Sequence, residues 1–378
     1  ILTLAKTRFE QEAEATGETR KKELSDIGFY NGDQWDPTLK AAREAQQANA
    51  QTGLPPVPAR PCLTINKVRE PVRQVLNQER DADLGVQVVA ADDFEGLTAP
   101  IDDTEVKLRE GLLRRIQRAP EAADARTWAF SRAVIAGRGF YCVMTRYLPG
   151  KTWYQEPYVH RLFNQSSVSV DPAHEAPDGS DADWGFIGND LPWATYKAEH
   201  PRQADNSPNP LINASDSEFR ALGDEMQGWF TGDKETRAVR VVDYWYTERT
   251  TRALLQLSDG TSMWKDEAPD DLDLETVIDE RNVVEKSIKW CKIDGYQILE
   301  KTDWLGPDLP IIKVLGEELH PYDHERRTEG MVRSARDSQV GFNAMVSKWV
   351  ESVGLAPIPP FQATPDQIAG FEAWYQAA

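Results

Sequence analysis

The chain has 378 residues, of which 40% are hydrophobic and 9% aromatic, which is enough to bury real hydrophobic cores. Its 43 Lys and Arg against 62 Asp and Glu give a net charge of −19, a balance that excludes a protein gripping nucleic acid tightly through clustered cations. The three cysteines lie far apart, which excludes a disulfide framework and a thiolate zinc site and fits a reducing cytoplasm.

The first 90 residues predict two helices separated by a linker. Charged residues with spaced apolar positions predict a helix over 5–30, followed by a polar linker to about Pro61. Thr64 is a candidate cap for a second helix, which Pro71 should kink or begin. Its apolar face is formed by Ile65, Val68, Val72, Val75 and Leu76. The alternating pattern of 85–90 then predicts a short strand.

The middle of the chain predicts helices followed by strands. Helices are expected over 101–118 and 121–136, and Gly137 and Gly139 then turn the chain into a strand over 140–147. One or two further strands are expected within 158–170. The β-branched and aromatic runs 239–247 and 283–293 predict strands at the edges of a second sheet. Two acidic stretches, 171–183 and 266–280, predict solvated loops.

The C-terminal part predicts one long helix over 325–353, after the apolar segment 310–315. One stripe of this helix is apolar and consists of Phe342, Met345, Val346, Trp349, Val350 and Val353. Gly354 and a proline-rich run end the helix. The fold class is therefore α+β. Because the chain opens at Ile1 and stops at Ala378 inside a helix-like stretch, we interpret it as a fragment truncated at its C-terminus.

Candidate metal ligands are few. His320 and His324 have the i, i+4 spacing of a helical metal pair, but Pro321 lies between them and no third ligand is visible. Asp178, Asp181 and Asp183 lack the alternating ladder of a calcium loop, so a solvated loop is the preferred interpretation. We predict no metal and no cofactor.

Catalytic motifs are also missing from the sequence. It contains no phosphate-binding G-x-x-x-x-G-K-[ST] loop and no G-x-S-x-G or H-E-x-x-H motif, so we predict no catalytic residue. The 12 tryptophans leave a carbohydrate-active enzyme with aromatic platforms as one alternative, although they are scattered singly. No apolar run approaches the ~20 residues of a membrane span, so no membrane partner is expected.

Several phrases follow one another along essentially the whole chain in the order found in one known family. The first is Tyr30-Asn31-Gly32-Asp33-Gln34-Trp35, an aromatic-x-x-x-Gln-Trp pattern. The others are 60–80, 128–147, 156–171, Val241-Val242-Asp243-Tyr244-Trp245, the run 309–317 and Gln367-Ile368-Ala369-Gly370-Phe371-Glu372. Together these phrases resemble the portal proteins of short-tailed phages. A capsid adaptor without a channel is the second alternative, beside the carbohydrate-active enzyme.

This resemblance implies a portal-type fold with three parts: a wing region over 1–320, a first stem helix over 321–354 and the start of a clip over 355–378. It also implies a ring, typically of twelve subunits, at one capsid vertex of the virion, with assembly in the host cytoplasm. The implied partners are double-stranded DNA, held transiently and without sequence preference, the terminase, a tail adaptor, and capsid and scaffolding proteins.

Within that framework the residues of the long helix divide into two sets. The channel-facing or DNA-facing candidates are Arg333, Arg336, Asn343, Ser347 and Lys348. The candidates for packing within the stem are Phe342, Met345, Val346, Trp349 and Val353. Exposed apolar residues in the proline-rich region give a third set, the candidates for binding terminase and adaptor, which are Pro357, Ile358, Phe361, Ile368 and Phe371.

Overall fold

The computed structural model describes residues 1–48, 61–82, 85–89, 103–150, 152–206, 230–231, 238–258, 260–268, 277–294, 296–320 and 327–354. The chain forms two compact units. Unit 1 consists of Ile1–Ile27 and Arg69–Ser334. The described part of unit 2 consists of 28–48, 61–68 and 335–354. The division falls within two continuous helices, the first and the last of the described chain.

The described residues are both helical and extended. The helices are α1 (Leu2–Asn31), α2 (Pro37–Ala48), α3 (Arg69–Asp81), α4 (Asp103–Arg118), α5 (Pro120–Ala136), α6 (Trp193–Glu199), α7 (Pro201–Asn206) and α8 (Met331–Gly354). The strands are β1 (Arg138–Tyr147), β2 (Gln155–His160), β3 (Val168–Val170), β4 (Trp184–Pro192), β5 (Phe230–Thr231), β6 (Ala238–Leu257), β7 (Ser262–Trp264), β8 (Val277–Ile293), β9 (Ile298–Asp303), β10 (Ile311–Leu315), β11 (Glu317–Leu319) and β12 (Arg327–Glu329).

Unit 1 is built on two antiparallel sheets. The smaller sheet has the order β10-β1-β2. The larger has the order β3-β4-β6-β8-β9, with β5 and β7 also paired to β6. A separate hairpin joins β11 and β12. The described helices include none that is long and apolar enough to cross a membrane.

Among the described residues, buried clusters cover both faces of the larger sheet, and adjacent residues of β6 supply one side chain to each face. Tyr244 packs with Phe186 and with Ala5 of α1. Trp245, the next residue, packs with side chains from the smaller sheet, among them Phe140. Successive side chains of a strand point to opposite faces, so a run of buried residues here implies a sheet covered on both sides.

Two glycines allow α5 to run directly into β1. Gly137 caps α5 with a left-handed φ of 103°, and its N–H donates to the carbonyl of Ala133. Gly139 lies so close to α5 that an added Cβ would meet the carbonyl oxygen of Ala129 at 1.9 Å. The predicted helix, glycine turn and strand are therefore confirmed, and each glycine has its own steric reason.

Helix α1 carries three buried carboxylates, each paired with arginine; the first pair lies within the helix, and the other two carboxylates tie it to other parts of unit 1. The pairs are Glu12 with Arg20 (2.6 Å), Glu23 with Arg132 (3.3 Å) and with Arg138, and Asp26 with Arg333 (3.0 Å). Burial lowers the pKa of Arg132, and the Glu23 carboxylate counteracts this effect. A carboxylate buried this deeply is tolerable only because it is paired.

Several predictions differ from the structure, and part of the linker predicted to about Pro61 forms helix α2. The helix predicted from Thr64 begins at Arg69, because the chain before it is extended. Helix α8 begins at Met331 and not at 325, since Arg327–Glu329 pairs with β11. The strands expected at the edges of a second sheet, β6 and β8, pair with each other in its interior. Residues 85–89, expected to form a strand, have no regular secondary structure.

The Glu23→Ala variant tests whether the buried ion pairs of Glu23 stabilise the packing of α1 in unit 1. Removing this carboxylate leaves Arg132 and Arg138 buried without their partner, so we expect unfolding free energy to fall by about 3 kcal/mol in urea denaturation. Glu18→Ala, which removes an exposed ion pair with Lys21, is the matched control and should change stability by less than about 1 kcal/mol. Equal losses of unfolding free energy in the two variants would contradict a stabilising role for the buried ion pairs of Glu23.

Candidate functional site

The candidate site in unit 2 is the part of α8 from Ala335 to Gly354, together with the extended segment that lies along it. We call residues 61–67 the strap. Three backbone N–H groups of the strap donate to side chains of α8. These bonds are Leu63 to Ser347 Oγ (3.0 Å), Ile65 to Asn343 Oδ1 (3.1 Å) and Lys67 to Gln339 Oε1 (3.1 Å).

The match between strap and helix follows from their geometries. Alternate residues of an extended chain are about 6.6 Å apart, and residues four apart on a helix rise about 6 Å. Every second N–H of the strap therefore meets every fourth side chain of α8. Since rising numbers on the strap meet falling numbers on the helix, the two segments run antiparallel.

Side-chain amides complete the hydrogen bonding in this region. Gln339 Nε2 donates to the carbonyl of Ile65 (2.7 Å) and to Asn343 Oδ1 (2.9 Å). Asn343 Nδ2 donates to Gln34 Oε1 (2.7 Å), and Gln34 Nε2 donates to the carbonyl of Phe29 (3.2 Å). Gln34, Gln339 and Asn343 are all buried. Buried amides need such partners, and these three form one connected chain of hydrogen bonds.

Trp35 and Arg43 bind the N-terminal end of the strap. The Trp35 indole N–H donates to the carbonyl of Leu63 (3.2 Å). The Arg43 guanidinium lies 5.7 Å from the centre of the Trp35 ring, donates to the carbonyl of Pro61 and pairs with Glu351 of α8 at 3.2 Å. In the Gln34-Trp35 pair noted in the sequence, Trp35 thus binds the strap directly, and Gln34 binds Asn343, which accepts from the strap.

A second row of α8 is apolar and open. Met345 and Trp349 are each 68% exposed, and Val353 is 62% exposed, whereas Phe342 and Val346 are half-buried. At 100° per residue, this row lies about a third of a turn from the row formed by Gln339, Asn343 and Ser347. The helix therefore buries a polar row and exposes an apolar one, the reverse of an ordinary surface helix.

A family model described as phage P22-like portal protein matches residues 6–378, nearly the whole chain. The chain belongs to the P22-like portal protein family. The resemblance found in the sequence is thereby confirmed. A search of curated protein sequences found no significant match. The family is structural, and its members form rings of identical subunits in the capsid of the phage virion.

The placement of Asn343 and Ser347 in this portal chain contradicts the prediction that they face DNA. Asn343 is 1% exposed and Ser347 is 0% exposed, and both accept hydrogen bonds from the strap. The physical reason is that the strap's N–H groups need acceptors, which these two side chains provide. Neither side chain has surface left to meet a phosphate.

The three predicted channel-facing cations occupy different environments. In unit 1, Arg333 pairs with Asp26 and donates to the carbonyl of Lys22 (2.9 Å). In unit 2, the Arg336 guanidinium lies 4.9 Å from the centre of the Phe29 ring. Lys348 is exposed and makes no ion pair within the described part of the chain. Of the three, Lys348 is the one with its charge directed to solvent.

The remaining candidates are the residues predicted to bind terminase and adaptor and the possible metal ligands. Pro357, Ile358, Phe361, Ile368 and Phe371 lie outside the described residues, as does His324. Among the residues that are described, no group of three or more His, Cys, Asp or Glu could hold a metal ion. Asp178 and Asp181 instead accept backbone N–H bonds within their own loop.

The strap and the roles of Gln34 and Gln339 were missed from the sequence. The available signal was a row of uncharged polar residues at i, i+4 and i+8, namely Gln339, Asn343 and Ser347. Such a row without any charge suits hydrogen bonding to a backbone better than contact with solvent.

The Asn343→Ala variant should release the strap. It removes the acceptor of the Ile65 N–H and the donor to Gln34, leaving buried polar groups unpaired, so we expect a loss of about 3 kcal/mol. Amide hydrogen exchange should accelerate at Ile65 and Lys67. The control is Ser338→Ala at an exposed position of the same helix, which should leave exchange unchanged. If the Ile65 amide of Asn343→Ala exchanged as slowly as in the wild-type protein, the hydrogen bond between the strap and Asn343 would be contradicted.

Proposed function

We propose that the chain is one subunit of a closed ring, typically of twelve, whose central channel conducts double-stranded DNA into and out of the capsid. The exposed apolar row of α8 is the observation that carries this proposal. Met345, Trp349 and Val353 lie on a helix of 24 residues, about 36 Å long at 1.5 Å per residue. Such a row is expected to be covered by a neighbouring chain, and a ring provides one to every subunit.

In this proposal α8 is the first stem helix, with the wing region before it and the clip after it. The net charge of the chain is −19, which suits a DNA channel, because weak contact between the protein and the phosphates lets the DNA slide past. Assembly takes place in the host cytoplasm, with scaffolding and capsid proteins as partners.

Terminase and tail adaptor are proposed to dock on the proline-rich region that begins after Gly354. The sequence contains no phosphate-binding loop, so packaging ATP hydrolysis is assigned to terminase and not to this chain. Membership of a structural family leaves the carbohydrate-active enzyme without support. An adaptor without a channel is likewise not favoured, because the family is that of portals.

Trp349→Ala should weaken ring assembly while leaving the single chain stable. The side chain is mostly exposed in one subunit, so its loss creates no cavity there, but burial between subunits would make it worth about 2 kcal/mol or more. Sedimentation velocity measures ring yield, and thermal unfolding of the monomer measures stability. Trp153→Ala, which truncates another highly exposed tryptophan, is the control. Normal rings formed by Trp349→Ala would contradict the stem packing.

Lys348→Glu should impair genome packaging without changing ring yield. It replaces the exposed cation of α8 by a charge that repels phosphates, and an exposed charge contributes little to folding. Lys348→Arg keeps the charge and should package normally in an infection complementation test. Arg333→Glu is unsuitable for this test, because it would break the buried pair with Asp26. Normal packaging by Lys348→Glu would show that Lys348 does not line the channel.

A further inference from the structure

The charge of unit 1 is unevenly distributed along the chain. Residues 103–161 contain eleven Lys and Arg against six Asp and Glu, although the chain as a whole is strongly acidic. This basic stretch comprises α4, α5, β1 and β2. A segment of opposite charge to the rest of its own chain is suited to bind another acidic surface.

The outer face of α4 is apolar at its centre and basic at its border. Leu108 is 73% exposed and Leu112 is 51% exposed. Gly111 beside them leaves open space where a Cβ would be, so another chain can approach closely. Lys107 and Arg118, also exposed, have no ion pair within the described part of unit 1. Exposed leucines among cations favour a protein partner over the phosphates of DNA.

A complementary surface lies on the loop 171–183, which we call the acidic loop. Asp178 and Asp181 are exposed and form no ion pair with any described residue. The backbone N–H of Ser180 donates to Asp178 (3.1 Å), and that of Glu175 donates to Asp181 (2.6 Å). These bonds lower the pKa of both carboxyls, so both are ionised at neutral pH.

The two surfaces lie at opposite edges of one sheet. Helix α4 packs at the β2 edge, where Arg115 pairs with Glu156 of that strand at 3.4 Å. The acidic loop is attached at the β10 edge, where the N–H of Lys313 donates to the carbonyl of Asp178 (3.1 Å). Strand β1 separates these edges. A cyclic ring has head-to-tail interfaces, in which one side of a subunit meets the other side of the next, and that requires two different, complementary surfaces.

We propose that α4 of one subunit docks onto the acidic loop of the neighbouring copy in the ring, with Lys107 and Arg118 facing Asp178 and Asp181. This proposal rests on the ring assembly proposed above. It adds an interface in unit 1 that is independent of the apolar row of α8.

Zero-length cross-linking of rings tests the contact directly. Rings of intact chains are assembled from equal amounts of ¹⁴N-labelled and ¹⁵N-labelled protein, and a carbodiimide then couples amines to carboxylates in direct contact. We expect mass spectrometry to find peptides joining Lys107 to the acidic loop with one partner of each isotope. Links confined to a single isotope, or no link to the loop, would overturn the proposal.

Charge reversal gives the second measurement. Lys107→Glu with Arg118→Glu should weaken the subunit contact about tenfold, as loss of close charge pairs at an interface does. The matched control reverses two exposed cations of α6 and α7, Lys197→Glu with Arg202→Glu, and should assemble normally. Asp178→Asn with Asp181→Asn keeps the acceptors of the loop while removing its charge, and should weaken assembly as the α4 variant does.

The remaining outcomes are decisive as well. If the α4 variant assembles as well as its control but retains less DNA, the basic face meets phosphates and the proposal is wrong. If it assembles normally and retains DNA normally, α4 has no such partner, while the portal ring itself stands. Wild-type protein that forms no ring at all would overturn both the proposed function and this interface.

Discussion

The hydrogen bonds between the strap and α8 determine which side of that helix is available to other chains. An extended segment inside a folded unit must find acceptors for its N–H groups. Here Gln339, Asn343 and Ser347 provide them, so one row of the helix is fully used within the subunit. The apolar row, a third of a turn away, is left open. This open apolar row is the surface that we propose a neighbouring subunit covers.

Elements with a local pattern were predictable from the sequence. Helix α5, its glycine turn and strand β1 follow from apolar spacing and from two glycines whose steric roles are local. The pair β6 and β8 was recognised as strands, because β-branched and aromatic residues are concentrated there. Their position inside the sheet was not predictable, since strand order depends on contacts distant in sequence.

The strap shows why a periodic pattern can mislead. Ile65, Val68 and Val72 have helical spacing, yet the residues before Arg69 are extended. Helix propensity is a weak preference, and three hydrogen bonds to side chains 272 to 284 residues away outweigh it. The boundary of α3 is thus fixed by a tertiary contact.

The prediction for the long helix rested on the rule that apolar residues pack and polar residues face water or ligand. That rule assigned the wrong environment to Asn343 and Ser347, which are buried within the subunit. The chemical distinction lies between charged and uncharged polar groups. Amides and hydroxyls can be buried once their hydrogen bonds are satisfied, whereas a lysine such as Lys348 usually keeps its charge in water.

The same distinction applies to the charge of the whole chain. A net charge of −19 describes how the protein meets a long polyanion, because repulsion from DNA sums over many residues. It does not describe how subunits meet, because contacts between them depend on charges within about 8 Å at physiological salt. Helix α4 of the basic stretch and the acidic loop lie at opposite edges of one small sheet. In the proposed ring, charges of both signs would hold neighbouring subunits together locally, while the overall negative charge would leave DNA mobile in the proposed channel.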